Sequence, residues 1–88
     1  MTKKDAKLVA KAIQDEADES SRKYGWFTST HEAYGVLAEE VAELLDAIRA
    51  NKRFSVQREA IQVAAVAMRL AQQLECAGDD FLVRSAMK

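Results

Sequence analysis

The sequence predicts an all-α fold: three to four helices in an antiparallel bundle, forming a protomer that assembles into a homo-oligomer. Three observations predict the helices. Apolar residues recur at spacings of three and four over three long stretches, start and stop signals separate those stretches, and no proline interrupts them. The oligomer follows from size. The 88 residues make a single domain over residues 1–88, and a domain this small removes only about 60 to 65 % of its chain surface from water, so its own core is thin.

The first helix is expected over residues 1–24, with Ala6, Val9, Ala10, Ile13 and Ala17 on one face. A face built mostly of alanine suits close packing. Its charges run against the helix dipole, with Lys3, Lys4, Lys7 and Lys11 early and Asp15, Glu16, Asp18 and Glu19 late. A solvated face is the simpler reading. The alternative is that the lysines receive a phosphate or an acidic partner while Asp15, Asp18 and Glu19 extend an acidic cluster.

Residues 24–30, YGWFTST, form a loop that joins Gly25 to Tyr24, Trp26 and Phe27. Trp26 can stack on a nucleobase, an interaction of roughly 1 to 3 kcal/mol. Equally, Trp26 and Phe27 can plug the end of a small core. His31 is the only histidine, so it cannot build a histidine metal site; it contacts a ligand or starts the next helix.

The rest of the chain is organised around the second helix, residues 31–48, HEAYGVLAEEVAELLDAI. Tyr34, Leu37, Val41, Leu44, Leu45 and Ile48 define its apolar stripe, and Ser29 with Glu32 has the spacing of a capping box. Glu39, Glu40 and Glu43 fall within little more than one turn, pointing away from the stripe or along its edge. Adjacent like charges destabilise a helix unless a cation sits among them. An ordinary acidic outer face is the better reading of a lone EExxE, so a second source of carboxylate is required.

After the basic break RANKR, in which Asn51 ends one helix and Arg49, Lys52 and Arg53 complement its negative end, a third helix is expected over residues 55–77. Ile61, Ala64, Ala65 and Met68 make one apolar face and Val56, Val63, Ala67, Leu70 and Leu74 another, so neighbours must cover two sides, which favours a second chain. Between the faces runs a stripe of Glu59, Gln62, Val66, Arg69 and Gln73. The short break makes this helix an antiparallel neighbour of the second and brings Glu59 level with Glu40 and Glu43. Carboxylates from two facing helices make an oxygen-only site suited to Mg²⁺ or Mn²⁺. Residues 78–88 open with Gly78 as a stop and Asp79 as N-cap of a last helical piece bearing Phe81, Leu82 and Val83.

The net charge of −1 argues against a nucleic-acid binder, Cys76 has no intrachain partner, and neither a signal peptide nor a membrane-spanning run is present. The expectation is a soluble, cytoplasmic protein without membrane contact. No P-loop, glycine fingerprint, nucleophile–base pair or internal repeat is found.

Glu39-Glu40-Val41-Ala42-Glu43 followed by Glu59-Ala60-Ile61-Gln62 resembles the EExxE…ExxD signature of the MazG-like all-α nucleoside triphosphate pyrophosphohydrolases. HEAYGVLAEEVAEL and REAIQVAAVAMRLAQ resemble its small single-domain members from phages and mobile elements. The resemblance covers about residues 24–75. It implies a homodimer or homotetramer that holds Mg²⁺ and cuts a nucleoside triphosphate between the α and β phosphates in nucleotide-pool house-cleaning. It further implies Glu40, Glu43 and Glu59 as metal ligands and Glu39 as the residue that holds a second metal or orients the attacking water. Lys52 and Arg53 are candidates for the phosphates, and Trp26, His31 and Tyr34 for the base.

The chain departs from the signature at Gln62, where the family has aspartate; a glutamine offers a metal a carbonyl oxygen without charge. Gln73 is likewise neutral, which leaves Asp15, Asp18 or Glu19 to compensate, and Arg69 is free to pair with Glu59 instead. Two functions therefore stand: the Mg²⁺-dependent enzyme, and a non-catalytic oligomeric module of the same fold for nucleotide sensing or protein interaction.

Overall fold

The computed structural model describes residues 2–79. They form three α-helices, α1 (Lys3–Tyr24), α2 (Thr30–Arg49) and α3 (Arg53–Leu74), with a π-helical turn (Glu75–Asp79) after α3. Among the described residues there is no strand, and no helix is long and apolar enough to cross a membrane.

Each helix end has a local cause. Thr2 and Asp5 form a capping box at the start of α1, the Thr2 hydroxyl accepting from the Asp5 N–H at 3.1 Å and the Thr2 N–H donating to the Asp5 carboxylate at 3.2 Å. Gly25, at φ 73°, ends the helix in a conformation that suits a residue without Cβ. At the start of α2 only half of the expected capping box forms. The Ser29 hydroxyl accepts from the Glu32 N–H at 3.0 Å, but the Glu32 carboxylate turns one residue further back, to the N–H and hydroxyl of Thr28.

The α2–α3 break closes as a Schellman motif. Asn51 sits in the left-handed region at φ 56°, its N–H donates to the Ile48 carbonyl, and the Lys52 N–H reaches back to the Ala47 carbonyl. Asn51 thus terminates α2 as its sequence suggests. The third helix starts two residues earlier than expected, and its α-helical part ends at Leu74. Gly78 lies within the π-helical turn and not beyond a helix end, while the helical piece at Phe81, Leu82 and Val83 lies outside the described residues.

Helix α3 is the element on which both others pack, and α1 and α2 make little direct contact. Helices of the same chain therefore cover much of its apolar surface, while Ala67 and Leu74 of the second face stay exposed. The α2–α3 pair is antiparallel, since Ala33 packs with Val66 and Leu70 while Glu43 stands beside Glu59. The buried apolar residues are Ala17, Phe27, Ala33, Ala47, Ala65 and Val66. Alanine dominates, which lets α3 approach closely but removes little surface from water.

Two expected faces are corrected. On α1, Ala17 is buried and Ile13 half-buried, but Ala6, Val9 and Ala10 are exposed, so the first turns project past the bundle. On α2 the inner face is Ala33, Val36, Leu37, Glu40, Leu44 and Ala47, whereas Tyr34, Val41, Leu45 and Ile48 are exposed. The true inner face is rotated by about 80° from the centre of the expected stripe and shares Leu37 and Leu44 with it. The stripe marks which residues are apolar, but α3 docks on the alanines beside it. The radius of gyration, 14.6 Å, exceeds the roughly 12 Å of a compact chain of this length, in keeping with the overhanging arm and the thin core.

Because Asn51 has a positive φ, Asn51→Gly should leave stability unchanged or slightly raised, and Asn51→Val should lower it by about 1 kcal/mol or more. Urea unfolding of the two variants measures this; equal stabilities would contradict the Schellman closure.

Candidate metal centre

The antiparallel register that Ala33 and Val66 establish at one end of the α2–α3 seam brings three carboxylates together further along it. One carboxylate oxygen from each of Glu40, Glu43 and Glu59 lies within 4.8 Å of the others. Ligand oxygens around an octahedral Mg²⁺ at about 2.1 Å stand roughly 3 to 4 Å apart, so a small inward movement of side chains closes the set. Glu40 is at the middle of the inner face of α2. Its Oε2 is buried without a hydrogen-bond partner, and an orphaned anionic oxygen of that kind is what a cation would satisfy.

The electrostatics agree. Burial holds the Glu40 carboxyl above the usual glutamate value, and Glu43, Glu59 and Glu39 push it further in the same direction. Among the described residues the cation nearest to the cluster is the Arg58 guanidinium, whose Nε stands 3.8 Å from Glu59. An all-oxygen donor set of carboxylates fits a hard divalent cation and does not suit zinc.

Next to the triad opens a cleft of about 460 Å³, lined by Glu39, Glu40 and Gln62, and continuing past Val66 to Arg69 and the aromatic loop. Glu40 belongs to both the triad and the cleft. Glu16 and Ser20 of α1 close the third side. The loop divides its two aromatics: Phe27 is buried against Ala33 and Val66 as a core plug, while Trp26 is 61 % exposed and lines the cleft.

The polar stripe of α3 positions this loop. The Gln73 amide donates to the Phe27 carbonyl and accepts from the Phe27 N–H, both at 2.8 Å. An acid at this position would only accept, so the neutrality of Gln73 follows from its backbone partners. Arg69 donates to the Gly25 carbonyl at 3.2 Å and stacks on the Phe27 ring at 4.4 Å. It does not pair with Glu59.

The other expected residues are placed elsewhere. His31 and Tyr34 are exposed and do not line the cleft. Lys52 is the N-cap of α3, and Arg53 borders a separate groove at the hairpin tip with Ile48, Asn51 and Phe54. Asp15 pairs with Lys11, Asp18 with Gln14 and Glu19 with Arg22, all within α1, so none of them adds to the cleft. Glu16, their neighbour, does. Its place beside Ala17 and one turn from Ile13 on the inner side of α1 is the sign in the sequence that could have found it.

Comparison with protein-family models, with curated proteins and with solved structures finds no match to this chain.

Two outcomes follow. An acid whose folded pKa is raised binds its proton more tightly in the folded state, so its contribution to stability is greatest below 4.5 and falls as pH rises through the window above that value. The melting temperature of metal-free protein should therefore decline more steeply from pH 4.5 upward than that of Glu40→Gln. Superimposable pH profiles would contradict the burial of Glu40. Independently, Gln73→Glu, equal in size but without the amide donor, should cost about 1 to 3 kcal/mol in urea unfolding; wild-type stability would mean that the loop does not depend on the clamp.

Proposed function

We propose that this protein is a Mg²⁺-dependent nucleoside triphosphate pyrophosphohydrolase that acts as a homo-oligomer. The observation that carries this reading is the juxtaposition of Glu40, Glu43 and Glu59, with a buried orphaned oxygen on Glu40, at one end of a cleft that has an exposed tryptophan toward the other. The motif resemblance, EExxE followed by Glu59 and Gln62, supports it independently.

Glu40, Glu43 and Glu59 would hold the ion, and Gln62 would contribute a neutral oxygen from the next turn. A bound Mg²⁺ supplies neutralisation of phosphate charge and an acidified water. Glu39, exposed at the edge of the cleft, would orient an attacking water and accept its proton. The water oxygen bonds to the α-phosphorus as the bond from that phosphorus to the bridging oxygen breaks, giving a nucleoside monophosphate and pyrophosphate. No protein nucleophile is needed, because positioning and electrostatics dominate phosphoryl transfer. Trp26 offers a stacking face to the base.

The oligomer is supported by the exposed apolar row Tyr34, Val41, Leu45 and Ile48 along one side of α2. A second copy covering that row would remove it from water, and it would bring in further basic groups for the phosphates, which Lys52 and Arg53 of the same chain do not supply in the cleft. Gln62 in place of an acid favours one second reading, a module that binds nucleotide without turnover.

The test is pyrophosphate release from ribo- and deoxynucleoside triphosphates with Mg²⁺, comparing wild type, Glu43→Ala and Gln62→Asp. Glu43 is exposed, so its removal should leave the fold intact while lowering the rate by about 100-fold or more. Release only from Gln62→Asp would identify the non-catalytic module. Silence from wild type and Gln62→Asp alike would sink the enzyme, and nucleotide titration without turnover would then decide the module.

A further inference from the structure

Arg69 is the one buried charged residue among those described, 8 % exposed. It forms no ion pair among the described residues, its only hydrogen bond goes to the neutral Gly25 carbonyl, and its Nε is buried without a partner. A guanidinium has five donors and no acceptor; one from Nη2 goes to Gly25 and the buried Nε has none, which leaves the terminal Nη1 and Nη2 donors on the cleft side without a charged or side-chain acceptor. A buried charge in that state is costly. The Phe27 ring offsets part of the cost from one face, but a ring provides no acceptor in the guanidinium plane.

Arg69 lines the same cleft as Glu40, Gln62 and Trp26. It lies seven residues beyond Gln62 on α3, about two turns or roughly 10 Å along the axis. With phosphates at the Glu40 and Gln62 end, this is the reach of a ribose and base beyond the α-phosphate, and not that of another phosphate. Trp26 comes from the loop whose backbone Arg69 and Gln73 hold. A stacking face and an unmatched donor fork therefore meet at the base end of the cleft.

We propose that Arg69 reads the nucleobase, selecting nucleotides whose base presents two adjacent hydrogen-bond acceptors. This rests on the nucleotide reading of the cleft and deepens it by naming a substrate class. Guanine offers O6 with N7, and cytosine offers O2 with N3, so both match a donor-only fork. In adenine the amine stands beside N7 and N1 and turns a donor toward the guanidinium. In uracil and thymine the N3–H separates the two carbonyls. Both preferred bases also carry an exocyclic amine, which an acceptor-only group such as Glu16 on the facing wall suits. Discrimination arises because a mismatched base leaves the buried donors unpaired.

Trp26 is the only tryptophan, so its fluorescence reports on the cleft without requiring metal or turnover. Titration of wild type with GMP, CMP, AMP and UMP should give quenching with an affinity about tenfold or more higher for GMP, for CMP, or for both, than for AMP and UMP. The four arms separate guanine from cytosine. The same order should appear in pyrophosphate release from the matching triphosphates. In Arg69→Lys, which keeps the charge but loses the planar fork, the preference should collapse to within about threefold, with folding checked by the melting transition. Wild type that binds all four bases equally overturns the inference whatever the variant does, as does a folded Arg69→Lys that retains the preference. Pyrophosphate release without base preference would leave the enzyme standing and remove this role for Arg69. Base-selective quenching without hydrolysis would do the reverse, and absence of both would end the two readings together.

Discussion

Polar groups buried along one face of α3 must find partners, and the partners they find determine the rest of the structure. The stripe Glu59, Gln62, Val66, Arg69 and Gln73 lies between the two helices that flank α3. At one end Glu59 meets Glu40 and Glu43, and like charges gather where no described residue neutralises them fully. At the other end Gln73 and Arg69 reach the backbone of the aromatic loop. The cleft is the interval between these two sets of contacts, so its length, its acidic end and its aromatic end are all consequences of one helix face.

The core around this face is made mainly of alanine. Burying a methyl or methylene group contributes only about 0.8 kcal/mol, and no large side chain among the described residues is fully buried. Phe27 is the largest of the buried apolar set, and the Gln73 clamp holds it in place. Hydrogen bonds at the loop therefore carry stability that a larger protein would draw from packing. The same economy leaves Tyr34, Val41, Leu45 and Ile48 facing outward. It also places Glu40 in the helix interface, where its charge is disfavoured unless a cation joins it.

The arrangement separates duties among residues that look alike. Gln62 and Gln73 are both neutral amides on one stripe, yet Gln62 borders the acidic end of the cleft and Gln73 is committed to the Phe27 backbone. Trp26 and Phe27 are adjacent aromatics, one solvent-facing and one in the core. Glu16 faces the cleft, while Asp15, Asp18 and Glu19 are held by intrahelical partners. Helical periodicity accounts for the last case, since a shift of one residue rotates a side chain by about 100°.

The helices, their breaks and the meeting of Glu59 with Glu40 and Glu43 were legible in the residues alone. These depend on local signals: spacings of three and four, the Ser29 cap, the left-handed Asn51, and a connection too short to do anything but reverse the chain. The sequence also singled out the α3 stripe, because polar residues at helical spacing in an apolar helix stand out without any coordinates. What it left undetermined was how much of α1 packs, which side of α2 turns inward, which of two neighbouring aromatics is buried, and where Arg69 finds its contacts. Those depend on the fit of one helix against another. Alanine seams beat the larger apolar stripe on α2 because they allow close approach, and no one-dimensional pattern records which surfaces can come within contact distance.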